Sequence, residues 1–368
     1  MSKIFTFLKK EIVLTVSFVL AIISMIFVTP NEKYFDYIDF RTLGLLFSLM
    51  TVMAGFNKMG VFKVIAEYLL NKVNTMRGVT LSLVLLCFFS SMIITNDVAL
   101  ITFVPFSVVL LKLANKQNRM IFVVTLETIA ANLGSMLTPI GNPQNLYLFS
   151  AYNMSISDFF YTIAPYAMLS LGLLVIFSLF SDKSELANLG DREEVIFDKR
   201  LLTMYAVLFA IALLSVFRVL NYIVLLAVVI VFVLIFDRKV LLKVDYSLLF
   251  TFVFLFIFIG NLGNIAQINS WLSEIVGGNE VVVGVLASQV FSNVPAAILL
   301  SGFTCNATAL MIGVNIGGLG TLIASMASLI SFKFIQKESV SIAKYLGVFT
   351  LLNVVFLAAN LALWVVVK

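Results

Sequence analysis

The chain has 368 residues, of which 61% are hydrophobic and only 12% charged, against about 25% charged in a soluble domain. This composition excludes a soluble fold and defines an all-α polytopic membrane protein; the +5 net charge lies in short loops, where it is a topology signal and no sign of a nucleic-acid partner. With no histidine and only Cys87 and Cys305 as thiols, the chain has no Ser-His or Cys-His nucleophile, no HExxH zinc pattern and no disulfide framework, and it is read as a non-enzyme without cofactor or structural metal.

Lys3, Lys9 and Lys10 precede an apolar run over Glu11–Thr29 that is too long for a signal-peptide core, so residues 1–38 are expected to form a retained first span. Residues 39–180 form a first unit. Arg41–Phe56 crosses back, and an amphipathic piece with Phe62, Ile65, Ala66 and Leu69 lies among Lys58, Lys63, Lys72 and Arg77, an interfacial helix on the cytoplasmic side. The arms Val79–Ile94 and Val98–Ala114 are joined only by Thr95-Asn96-Asp97. Each is about 24–26 Å long as a helix, short of a span of about 30 Å. With basic residues at both outer ends, the pair reads as a re-entrant hairpin; two full helices with an external turn would leave the same topology.

The next run, Met120–Phe149, is broken over NLGSMLTPIGNPQNL, Asn132–Leu146. Pro139 and Pro143 cannot sit in one continuous helix, and irregular backbone at membrane depth survives only where protein or a polar cavity satisfies it. A span at Phe159–Phe180 follows. Residues 181–244 are expected to be a cytoplasmic connector, Asp182–Arg200, and a linking helix pair around Arg218.

A second unit over 245–343 repeats the order. Asp245-Tyr246 echoes Asp39-Phe40, arms flank Ser292-Asn293-Val294-Pro295, and NIGGLGTLIASMASL breaks a helix at Asn315–Leu329. Asn132, Gly134, Thr138 and Ile140 are matched by Asn315, Gly317, Thr321 and Ile323. The first unit's flanks 57–77 and 112–119 hold four and three Lys or Arg, while their equivalents 261–280 and 303–308 hold none. Similar elements with opposite charge flanks imply an inverted repeat, and paired interrupted segments are the sequence mark of a transporter's binding site. Residues 344–368 form a last span, which puts the N-terminus in the cytoplasm and the C-terminus outside a cell (inner) membrane.

Both tips carry Ser-x-x-x-[Ser/Thr]-Asn, as Ser91, Thr95, Asn96 and Ser288, Ser292, Asn293. Hydroxyl and amide oxygens with unwound carbonyls suit Na⁺, and free N–H groups at half-helix starts suit an anion's oxygens. Asp97 and Glu127 are the carboxylates at membrane depth. Asp97 is read as functional, with a capping role as its alternative; Glu127 is either functional or paired with a nearby hydroxyl or basic residue.

ITNDVALITFVP, NLGSMLTPIGNPQN, SQVFSNVPAAILL and IGVNIGGLGT resemble the ion transporter superfamily with the citrate-transporter-like domain, which includes divalent anion/sodium symporters and arsenite-pump permeases. The resemblance, over about 41–331, implies an elevator-type transporter with two re-entrant hairpins and two broken transmembrane helices, usually a homodimer. It implies a first coupling-ion site (Na⁺ or H⁺) at Ser91, Thr95 and Asn96 with carbonyls near Gly134, and a second at Ser288, Ser292 and Asn293 with carbonyls near Gly317. A small anion or oxyacid substrate would lie near Asn96, Thr138, Asn293 and Thr321. Asp97 departs from the symporters' Ser-Asn-Thr tip and resembles the arsenite-pump branch, so arsenite/antimonite-type efflux and Na⁺/H⁺ antiport stand as alternatives with Asp97 as coupling carboxylate.

Overall fold

A computed structural model describes residues 11–70, 73–184 and 198–367. Lys3, Lys9, Lys10, Lys72 and most of the expected connector lie outside the described residues. The described chain folds as helices α1 (Ile12–Phe27), α2 (Tyr34–Tyr37), α3 (Phe40–Lys58), α4 (Val61–Leu70), α5 (Met76–Ile94) and α6 (Asn96–Leu113). They are followed by α7 (Met120–Ser135), α8 (Pro143–Ala151), α9 (Ile156–Leu179), α10 (Lys199–Val216), α11 (Tyr222–Phe236) and α12 (Tyr246–Gly263). The rest are α13 (Ala266–Val276), α14 (Glu280–Phe291), α15 (Asn293–Ser301), α16 (Ala307–Ile316), α17 (Met326–Ile335) and α18 (Ile342–Val367). Among the described residues seven helices are long and apolar enough to cross a membrane, or eight if α13 and α14, bent by 110°, count as one span.

The helix starts follow local chemistry. Asp39 and Asp245 cap α3 and α12 through the Thr42 and Leu248 amides (2.9 and 3.0 Å), so the two echoed sequence signals are the same N-cap. Thr75 caps α5, which begins at Met76, three residues before the expected start of that arm; α5 and α6 are 19 and 18 residues long. At about 28 and 27 Å these arms are longer than the apolar runs alone indicated. The second pair, α14 and α15, has only 12 and 9 residues.

Two packing groups meet around the interrupted helices. In one, α1 lies along α12, where Asn261 Nδ2 donates to Ser24 Oγ and to the Tyr34 hydroxyl, each at 2.9 Å. Helix α3 packs on α10 and α11 so closely that a Cβ on Gly55 would lie 2.2 Å from the Tyr205 ring. The half-exposed Lys58 pairs with the buried Asp237 at 2.6 Å, and the Tyr205 hydroxyl donates to the same carboxylate at 3.2 Å. In the other group α7 is surrounded by α5, α6, α9, α17 and α18. Every residue from Val123 to Ser150 is buried except Leu137 and Thr138, so the break and its polar side chains are enclosed by protein. Cys87 is buried in α5, whereas Cys305 is exposed in the turn before α16; both thiols are free.

Candidate functional site

The two tips share one backbone geometry. Thr95, the residue between α5 and α6, has φ 71° and ψ 152°, and Ser292, between α14 and α15, has φ 71° and ψ 153°. A side-chain-bearing residue rarely adopts that conformation, and holding it costs on the order of 1–3 kcal/mol, so packing must enforce it. The enforcing contacts come from the breaks between α7 and α8 and between α16 and α17.

At the first tip the Asn96 amide donates to the Gly141 carbonyl (3.1 Å) and its Nδ2 to Asn132 Oδ1 (3.2 Å). The Thr138 hydroxyl donates to the Met92 carbonyl. Ser91 bonds back to the Phe88 carbonyl at 2.9 Å, and Gly134 is pressed against that turn: a Cβ there would lie 2.1 Å from the Phe88 oxygen and 2.7 Å from Ser91 Oγ. The second tip repeats the arrangement. Ser288 bonds back to the Gly284 carbonyl, and a Cβ on Gly317 would lie 2.7 Å from Ser288 Oγ. One on Gly318 would lie 2.9 Å from Asn293 Nδ2. Gln289 adds a clamp, with Nε2 donating to the Gly317 and Leu319 carbonyls and Oε1 accepting from the Thr321 amide, all at 2.9 Å.

Ser91, Asn96, Gly134 and Thr138 therefore form one cluster, and Ser288, Asn293 and Gly317 another, with Thr321 at the exposed edge of the second. Thr95 and Asp97 face elsewhere. They line a cavity of about 610 Å³ with Asn142 and Pro143, with Met50, Met53, Asn57 and Lys58 of α3, and with Lys243, Asp245 and Leu248. Asn96, Thr138, Asn293 and Thr321 do not line it. Asp97 Oδ1 is buried without a hydrogen-bond partner, and its amide is taken by Asn96 Oδ1 at 2.9 Å.

The breaks also hold each other. Asn142 caps α8 and donates from Nδ2 to Asn315 Oδ1 (3.4 Å), while Asn315 Nδ2 donates to Asn145 Oδ1 (2.7 Å). Ser325 caps α17 and donates to Asn132 Oδ1 (2.9 Å). The capping residue after each break thus holds the asparagine that begins the other.

Glu127 is fully buried in α7 and accepts from Ser107 Oγ at 2.5 Å, with Cys87 Sγ 3.9 Å away. Its expected pairing with a neighbouring hydroxyl is present, and Oε2 has no hydrogen-bond partner. No cluster of His, Cys, Asp or Glu able to hold a metal ion occurs among the described residues. What the clusters offer is hydroxyl, amide and carbonyl oxygen, a ligand set for a hard monovalent cation or for a hydrogen-bonded solute.

The sequence reading missed Gln289, Lys243 and Asp245 as site residues. Gln289 was visible as a polar residue inside an apolar arm beside Ser288; Lys243 and Asp245 looked like ordinary loop charges at the start of a span.

Interrupted helices, buried polar tips and a cavity beside the first tip and first break define a polytopic membrane protein of the transporter class. The chain matches the citrate transporter family model over residues 4–307 and belongs to that family. It is 32% identical over 336 residues to an uncharacterized transporter of Methanocaldococcus jannaschii, covering 90% of this chain and 92% of the relative. It is also 32% identical over 313 residues to the inner membrane protein YbiR of Escherichia coli, 80% of each chain. A silicon efflux transporter of Oryza sativa is 30% identical over 164 residues, 43% of this chain and 33% of that protein.

Proposed function

We propose that this protein is an ion-coupled secondary transporter of a small anion or oxyacid, driven by Na⁺ or H⁺ through alternating access. The observation that carries the reading is the duplicated cluster: a tip serine against a break glycine, and a tip asparagine against the same break, once in each half. Each cluster is read as a coupling-ion site, with Ser91, Asn96 and Gly134 in the first and Ser288, Ser292, Asn293 and Gly317 in the second, while Thr95, expected in the first, lines the neighbouring cavity instead. Substrate is placed between the tips, reached through the cavity that Thr95 and Asp97 line. The halves are read as an inverted repeat, the hairpins as re-entrant, and the interrupted helices with their tips as a body that moves as an elevator against α1, α3 and α10–α12. The protein is read as a homodimer in the inner membrane, N-terminus cytoplasmic and C-terminus external.

A second reading is favoured by Asp97, which lines the cavity and has one buried carboxylate oxygen without a hydrogen-bond partner. A negative charge there opposes a multiply charged anion and suits efflux of an undissociated oxyacid of the arsenite or antimonite type, or Na⁺/H⁺ exchange. Efflux of silicon by the rice relative is consistent with this reading. Purified protein in proteoliposomes, given citrate, succinate, arsenite and silicic acid under imposed Na⁺ or H⁺ gradients, tests both. Saturable, gradient-driven flux of one solute is expected; gradient-independent, non-saturating flux would indicate a channel and refute the reading.

A further inference from the structure

The two breaks share one spacing, and the contacts of one identify a gap in the other. Asn315 is held twice by the first break: its Oδ1 accepts from Asn142 and its Nδ2 donates to Asn145 at 2.7 Å. Its match, Asn132, is held once by the second break, through Ser325, which stands where Asn142 stands. The residue in the place of Asn145 is Ser328. Its hydroxyl is fully buried and has no hydrogen-bond partner, and neither has Asn132 Nδ2.

The contacts on either side place these two groups on the facing strips of α7 and α17. Ser325, Ser328 and Ser331 lie on one side of α17 at three-residue intervals, the spacing that stacks side chains along a helix face. Ser325 touches Asn132 at 2.9 Å, and Thr128 Oγ1 donates to Ser331 Oγ at 2.7 Å. Thr128 and Asn132 are one turn apart on α7, so Ser328, midway, points at the same strip. A serine is too short to reproduce the direct bond that Asn145 makes to Asn315. Leaving a buried amide N–H pair and a hydroxyl both unpaired costs on the order of 1–3 kcal/mol each, and buried polar groups of this kind are met by a bound polar atom.

We propose that Asn132 Nδ2 and Ser328 Oγ hold one small oxygen between α7 and α17, directly behind the first tip. The oxygen accepts from the amide and exchanges a hydrogen bond with the hydroxyl. A resident water supplies it, or a hydroxyl or oxyanion oxygen of the transported solute.

Thermal unfolding of the full chain in lipid nanodiscs, without added solute, tests the site independently of transport. Ser328→Ala removes one of the two partners and is expected to lower the melting temperature, whereas Ser328→Asn restores the direct bond seen in the other half and is expected to keep or raise it. A Ser328→Ala variant as stable as the parent, or more so, overturns the proposal, because the hydroxyl then bonds nothing. A destabilised Ser328→Asn overturns it too, because the gap then does not exist. Transport by a stable Ser328→Asn identifies the source. Retained flux of whichever of citrate, succinate, arsenite or silicic acid the parent carries assigns the oxygen to water, and lost flux assigns it to the solute. If the parent carries none of the four, the transport reading fails for those solutes while the melting temperatures still decide the site.

Discussion

Gly134 is the residue at which the smallest change should do the most damage. Substituting alanine places a methyl 2.1 Å from the Phe88 carbonyl oxygen, 2.8 Å from its carbon and 2.7 Å from Ser91 Oγ. Ordinary contact needs more than 3.4 Å, so α5 and α7 must separate by roughly 1 Å, and backbone cannot rotate away as a side chain can. Overpacking of that kind costs about 1–3 kcal/mol, and the displacement falls on the turn that carries Ser91 and, four residues on, Thr95. The control is Gly172 in α9, where a Cβ meets nothing within 4 Å. Gly172→Ala removes unfolded-chain freedom and is expected to be neutral or stabilising by about 0.4–1 kcal/mol. Melting of the two variants in nanodiscs and their initial flux in proteoliposomes provide the comparison. Gly134→Ala should melt several degrees lower and lose at least about tenfold in flux, on the scale by which misplacements of about 1 Å impair reacting groups. If it melts and transports like Gly172→Ala, the close packing of break against tip, and the site built on it, are refuted.

Asn96→Ala and Asn293→Ala should each abolish flux while leaving a folded protein in the membrane, as judged by size-exclusion profile. Near-normal flux in both would place the site elsewhere. Asp97→Asn keeps the shape and can still accept the N–H bonds of a cap, so a capping role predicts unchanged ion dependence. A coupling role predicts that flux loses its pH or Na⁺ dependence, read by varying each gradient separately. For topology, single cysteines in a Cys87→Ser, Cys305→Ser background should react from outside the cell at Asn153 and Asn279. Labelling of Asn279 only from the cytoplasm would exclude the inverted repeat.

Much of the molecule is legible in the sequence because its signals are local. Apolar runs of membrane length, the echoed Asp39-Phe40 and Asp245-Tyr246 starts, and glycine and proline inside the runs mark where helices begin and break whatever surrounds them, although that both aspartates are N-caps came from the structure. The Ser-x-x-x-[Ser/Thr]-Asn tips and the matched breaks were visible for the same reason, as was the buried hydroxyl partner of Glu127 as one of two alternatives. Contacts between elements far apart in the chain were not. That Ser325 reaches Asn132, that Lys58 pairs with Asp237, and that Asp97 shares a cavity with Lys243 and Asp245 depend on how α3, α7, α12 and α17 pack. Nothing in the neighbourhood of Ser328 distinguishes it from the many membrane serines that bond back to their own helix. Only the packing of α17 on α7, which turns its face toward Asn132 and leaves both groups without a partner, sets it apart, because hydrogen bonding in a water-poor interior is decided by which distant side chain happens to be within about 3 Å.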